Sequence, residues 1–167
     1  MDDRDRGGSD VSGTGTVAVP VGDGWRLWGT KWFTSATTAE VALTLARPQH
    51  APPGPRGLSL FLVHRRTPDG RPNSIFVRRL KDKLGTRALP TAELELHGSF
   101  ATAIGDPLDG AGVKRISTML NITRIHNSLG ASGALARGLS WARAYARVRK
   151  DRRRVPSGPP RPPLHPC

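Results

Sequence analysis

Apolar and polar residues alternate along much of the first hundred positions. In Gly24–Ser35, GWRLWGTKWFTS, the residues Trp25, Leu27 and Gly29 interleave with Arg26, Trp28 and Thr30. This is the period-2 pattern of a strand with one buried face. Thr16–Val21 leads into it through Gly22, Asp23 and Gly24, a hairpin signal. Val41–Ala46 (VALTLA) follows, then a proline-rich loop from Pro48 to Gly57. Leu58–Val63 (LSLFLV) is the most apolar run and is expected at the centre of a sheet. After a Pro68-Asp69-Gly70 turn come Ser74–Arg79 (SIFVRR) and Ala92–Leu96 (AELEL), the latter with Glu93 and Glu95 outward. Six short strands separated by glycine and proline turns predict an antiparallel barrel or sandwich.

The period changes near Asp106. Val113, Ile116 and Leu120, then Ile125, Leu129, Leu135, Leu139 and Tyr145, follow helical spacing, with Asn121 or Thr123 expected to cap a second, longer piece. Small residues from Gly130 to Ala136 crowd one side, a face that expects partner helices. The fold class is therefore mainly β with a C-terminal α segment. Beyond Lys150 periodicity stops: residues 151–167, DRRRVPSGPPRPPLHPC, hold six prolines and are expected to be disordered.

Composition changes this picture in three places. Lys+Arg total 26 against Asp+Glu 13, giving a formal charge of +13. That raises the prospect of a nucleic-acid or anionic partner. Much of the excess, however, lies from Arg143 onward. The single cysteine, Cys167, excludes a disulfide framework or a cysteine-based zinc site and suits a reducing, intracellular compartment, with no choice among cytoplasm, mitochondrion and peroxisome. The charged start, MDDRDRGGSD, is not that of a signal peptide, and no apolar run approaches the ~20 residues of a membrane span.

Candidate chemistry concentrates in two stretches. RGGSDVSGTGT offers backbone N–H groups free of bulk. Gly13, Gly15 and Ala18 fit GxGxxA, but no strand precedes them and Pro20 breaks the required helix, so a dinucleotide fold is excluded. The second stretch holds three of the four tryptophans and ends in the hydroxyl pair Thr34 and Ser35. Packed aromatic bulk with hydroxyls at its edge suits a flat ligand. Taken alone, the same residues describe a core strand ending in a polar turn, and core is the default. His64, His97 and His126 share no metal-like spacing, so no metal is expected. Arg87 is expected to anchor a turn through backbone carbonyls, while Arg124, on an apolar helix, is a minor site candidate.

Four blocks occur in order: GGSDVSGT, GTKWFTS, KLGTRALPTAELEL and GAGVKRISTMLNITRI. Together with Arg79–Gly85, RLKDKLG, they resemble the acyl-CoA dehydrogenase superfamily, most closely its AidB-like branch. The resemblance runs from about Gly7 to Lys150. It implies a flavin-binding middle β-barrel over 1–105, the start of the C-terminal helical domain over 106–150 and an appended tail over 151–167, without the family's N-terminal helical domain. It implies FAD as cofactor and dehydrogenation of an acyl-CoA between its α and β carbons, with hydride passing to flavin N5. Cofactor contacts are implied for Ser9, for Phe33 and Ser35 against the ring system, and for the backbone at Thr34.

Several positions depart from the family pattern. MDDR stands where Met/Val-Thr-Glu normally precedes the glycines, and Asp151-Arg152-Arg153 stands where Phe-Gly follows the helix. Thr123 occupies the position at which isovaleryl and long-chain types carry their base. Only Glu40, Glu93 and Glu95 are available as glutamates, and no catalytic residue is assigned. The change of grammar after Lys150 suggests a shifted reading frame or a mispredicted exon. Full-length members assemble as homo-oligomers. Two further readings follow from the same resemblance: a basic, DNA-associating flavoprotein, and an inactive truncated product.

Overall fold

The computed structural model describes residues 10–149. Ser9 and the stretch 151–167 lie outside the described residues. Six strands form: β1 (Val17–Val21), β2 (Gly24–Ser35), β3 (Val41–Pro48), β4 (Ser59–His64), β5 (Ile75–Leu80) and β6 (Thr91–Ala103), followed by one helix, α1 (Gly112–Val148).

The sheet runs β2-β1-β3-β4-β6-β5, and β2 also pairs with β6. Five strands therefore close into a barrel, and β5 lies outside the ring on the free side of β6. Closure leaves few exposed edges, which suits short strands that cannot be stable alone. The expected antiparallel order holds at every seam but one. β1 and β3 pair in parallel, over Val17↔Arg47 and Ala18↔Pro48. That pairing is non-local, and no hairpin turn in the sequence announces it.

Small residues on β1, β3 and β6 (Ala18, Ala46, Ala101) leave the interior to Leu27, Phe61, Val63 and Leu96. Trp25 packs against this core with its ring centroid 5.5 Å from that of Phe61. β4 is central as expected: Leu60, Phe61 and Val63 are buried. The buried Asn73 amide donates to the carbonyls of His64 and Phe100 and accepts from Phe100 N–H, so one side chain ties the end of β4 to β6.

β6 is longer than expected because it continues through Gly98. Between Leu27↔Ser99 and Trp28↔His97 the register slips by one residue, leaving Gly98 unpaired in a bulge at φ +72°. A Cβ there would lie 2.8 Å from the Trp28 ring. Glycine is required on both counts.

The chain divides after Leu120. In the first unit, the start of α1 is anchored by Asp109. Its carboxylate accepts from Ala111 N–H at 2.9 Å and takes a bidentate grip from Arg115 at 2.8 and 2.5 Å. Gly112 N–H donates to the Leu58 carbonyl, and a Cβ on Gly112 would fall 2.5 Å from that oxygen. The second unit, from Asn121, carries the remainder of α1. The expected cap at Asn121 or Thr123 is absent, since α1 passes through both without interruption. No proline or glycine lies between Gly112 and Gly130, and a cap residue alone does not end a helix. Among the described residues no helix is long and apolar enough to cross a membrane.

Candidate functional site

The tryptophan segment ends in a second bulge. Lys31 pairs with Leu94 and Thr34 with Ala92, so Trp32 and Phe33 together oppose the single residue Glu93. Two-against-one pairing bends a strand and re-aims its side chains. Here it leaves Phe33 66% exposed, although it is one of only four phenylalanines in the chain. Its ring stands edge-on to Trp32 at 6.3 Å and 78°.

Beneath these rings lies a charged cluster that alternation alone did not indicate. Glu93, expected outward, is buried, its side chain only 3% exposed. Arg79 Nε and Lys81 Nζ both lie 2.5 Å from its Oε1. The Lys81 ammonium also sits 3.3 Å from the Trp32 ring centroid and 4.6 Å from that of Phe33, within cation–π range. Hydrogen bonding from Lys81 holds the Glu93 carboxyl below its ordinary pKa, against burial, which raises it; Arg79 adds to the lowering. The physical reason for the correction is the partner strand. β5 slips by one residue at Arg78, between Val77↔Leu94 and Arg79↔Glu93, and so delivers cations onto Glu93.

Next along β2, Ser35 pairs with Thr91, and their hydroxyl oxygens lie 2.8 Å apart. Lys83 Nζ donates to Thr91 Oγ1 at 2.7 Å and to Thr86 Oγ1 at 2.9 Å. Arg87 donates to the Lys83 carbonyl and to Asp82, anchoring the turn as expected. Arg124 donates to the Asn121 side chain at 3.4 Å.

Phe33, Thr34 and Ser35 line one cavity of about 770 Å³ together with Trp32, Leu43 and Leu45. That volume lies in the range of small-molecule and cofactor sites, about 300–1,000 Å³. Val11 and Thr14 from the glycine-rich stretch line it too, as does Ile116 of α1. Three sequence blocks far apart in the chain thus meet at one concavity. The glycine-rich stretch is fixed there by a short 3-10 turn, Val11–Gly13, capped by Asp10 accepting from Ser12 N–H, and by Arg47 donating to the Ser12 carbonyl. The cavity wall is chiefly apolar with hydroxyls at one edge, the chemistry of a site for a flat, partly polar ring. The alternation of cations at Arg79, Lys81 and Lys83 against Glu93 and Thr91 was the available signal for the supporting residues.

The family described as acyl-CoA dehydrogenase, middle domain, matches residues 3–99. The chain is 53% identical over 150 residues to acyl-CoA dehydrogenase family member 11 of Caenorhabditis elegans, covering 86% of this chain and 24% of that protein. It is 38% identical over 145 residues to AidB of Escherichia coli (strain K12), covering 86% and 25%. The crystal structure of Caenorhabditis elegans ACDH-11 in complex with C11-CoA superposes with a TM-score of 0.78 at 52% identity, over 87% of this chain and 25% of that one. The chain therefore spans about a quarter of the length of the curated relatives it matches.

Proposed function

Since the chain belongs to the acyl-CoA dehydrogenase family, we propose that its barrel holds the flavin ring of FAD against Phe33, Thr34 and Ser35. It would do so as the middle portion of an enzyme that oxidises an acyl-CoA between its α and β carbons. The observation that carries this reading is the cavity at the end of β2, with an exposed aromatic ring and two hydroxyl residues on its wall. An apolar face for stacking beside hydrogen-bonding groups at the rim fits a fused heteroaromatic ring. When bound, FAD supplies the hydride acceptor. The chain's own residues would hold and orient it: Phe33 through ring contact, Ser35 and the Thr34 backbone through hydrogen bonds, and Ser9 upstream of the Val11–Gly13 turn.

An acyl-CoA partner is supported by the C11-CoA complex of the nematode relative. The three glutamates do not suit the α-proton step. Glu93 is held by two cations, Glu40 pairs with Arg65 at 2.6 Å, and Glu95 pairs with Arg78 at 3.2 Å. Held below its ordinary pKa by Lys81 and Arg79, Glu93 is a weak base, and Glu40 and Glu95 are each engaged by an arginine. We therefore assign the barrel, residues 1–105, to holding the cofactor and 106–150 to the start of the helical domain.

Titration of the purified chain with FAD tests the reading. Binding is expected to quench flavin and tryptophan fluorescence, with Trp32 beside the ring site. Phe33→Ala is expected to weaken binding about tenfold, as loss of one aromatic contact of ~1–2 kcal/mol implies. Unchanged flavin fluorescence at all protein concentrations would overturn it.

A further inference from the structure

Ser35, Thr91 and Lys83 form a chain of hydrogen bonds whose proton order is fixed by its buried end. The Lys83 ammonium can only donate, so the bond at 2.7 Å uses a lone pair of Thr91 Oγ1. Thr91 is buried, at 3% exposure, and its hydroxyl hydrogen needs an acceptor. The Ser35 oxygen, 2.8 Å away, is the acceptor the described structure provides. Were Ser35 the donor instead, Thr91 would accept twice and its own hydrogen would be buried without a partner. Ser35 itself is exposed at the cavity wall, and its hydrogen remains available there.

We propose that Lys83 and Thr91 are positioning residues that orient the Ser35 hydroxyl as an outward donor, so that the cavity selects a ligand presenting a hydrogen-bond acceptor at that point. The identity of the ligand rests on the flavin reading above, while the proton order does not. An oxidised flavin has unprotonated nitrogen and carbonyl oxygen at its central edge, all acceptors. The two-electron-reduced ring carries N–H there and would meet Ser35 donor to donor. The wall is therefore biased toward the oxidised cofactor. Lys83 lies in the RLKDKLG block and Thr91 in PTAELEL, which gives both blocks a role in the site without contact with the ligand.

Neutron diffraction from deuterium-exchanged crystals of the chain reads the order directly and without FAD. A deuteron on Thr91 Oγ1 directed at Ser35 is expected, and one on Ser35 directed at Thr91 would overturn the proposal. Flavin titration then tests the consequence. Thr91→Val and Lys83→Met are expected to narrow the affinity ratio of oxidised over reduced FAD by about tenfold, raising the bound potential by ~30 mV. Thr91→Ser and Lys83→Arg, which keep the donors, are expected to preserve it. A merely structural defect would lower both affinities together and leave the ratio unchanged, and that result would overturn the positioning role. A wild-type chain that binds no FAD would remove the flavin reading, and the neutron result would still decide the proton order.

Discussion

Glu93 holds two cations with one carboxylate oxygen, and its side chain and that of Lys81 are almost wholly out of solvent. Removing one partner of such a group strands the other as a buried charge, whereas replacing both with apolar residues costs much less. Glu93→Gln is therefore expected to lower the melting temperature clearly, and the double variant Lys81→Met/Glu93→Leu to recover most of the loss. Glu40→Gln, which breaks an exposed pair with Arg65, is expected to change little. Equal melting temperatures for Glu93→Gln and Glu40→Gln would count against burial as the cause. The sequence made Glu93 legible only as a polar position in an alternating strand. Its burial depends on which residues of β5 face it, and the slip at Arg78 that decides this is a property of pairing, not of composition. Phe33 and Ser35 are singled out through the resemblance of their block, whereas Lys81, Lys83 and Thr91 carry no local signal beyond alternating charge.

The elements themselves were largely legible, because their causes are local. Period-2 alternation marks β2 and β6, a near-continuous apolar run marks β4, and glycine or proline turns separate the strands. What escaped was non-local or depended on a single residue. The parallel seam between β1 and β3 needs no turn signal, and β6 was expected only over Ala92–Leu96, where the alternation is clean. Gly98 instead continues the strand as a bulge. Gly98→Ala would force a side chain into left-handed backbone, costing about 1–2 kcal/mol, and would also press on Trp28. Chemical denaturation is expected to show at least that loss, and a larger one than for Gly70→Ser, which shares the left-handed backbone at φ +82° but where a Cβ meets nothing within 4 Å. At the start of α1, Arg115 lowers the Asp109 carboxyl from the ordinary 3.8 to about 2, chiefly by side-chain hydrogen bonding. A folded value below the unfolded one means the pair stabilises fully above pH 3.8 and progressively less as pH falls toward 2. The stability gap between wild type and Asp109→Asn is therefore expected to close between those pH values. A gap of constant size across that window would show that the pair is not its source.

At the scale of the whole chain, two opposed properties set behaviour in solution. The second unit exposes Ile125, Leu129, Leu135, Leu139, Trp141 and Tyr145, and its small residues offer close approach to another helix. A single helix gains most of its stability from burying an apolar face, so this segment is expected to stay helical by associating with a second chain. The formal charge of +13 opposes association, and salt screens that repulsion over a Debye length of about 8 Å at physiological ionic strength. Self-association is therefore expected to rise with protein concentration and also with salt, the reverse of what an ion-paired interface would show. Sedimentation velocity and far-UV circular dichroism over a concentration series read both effects. The variant Leu129→Lys/Leu135→Lys is expected to shift the population to monomer and to lower helicity together. A single monomeric species with undiminished helicity at every concentration would mean that the helix needs no partner, and the apolar residues along it would then lack an energetic role in assembly.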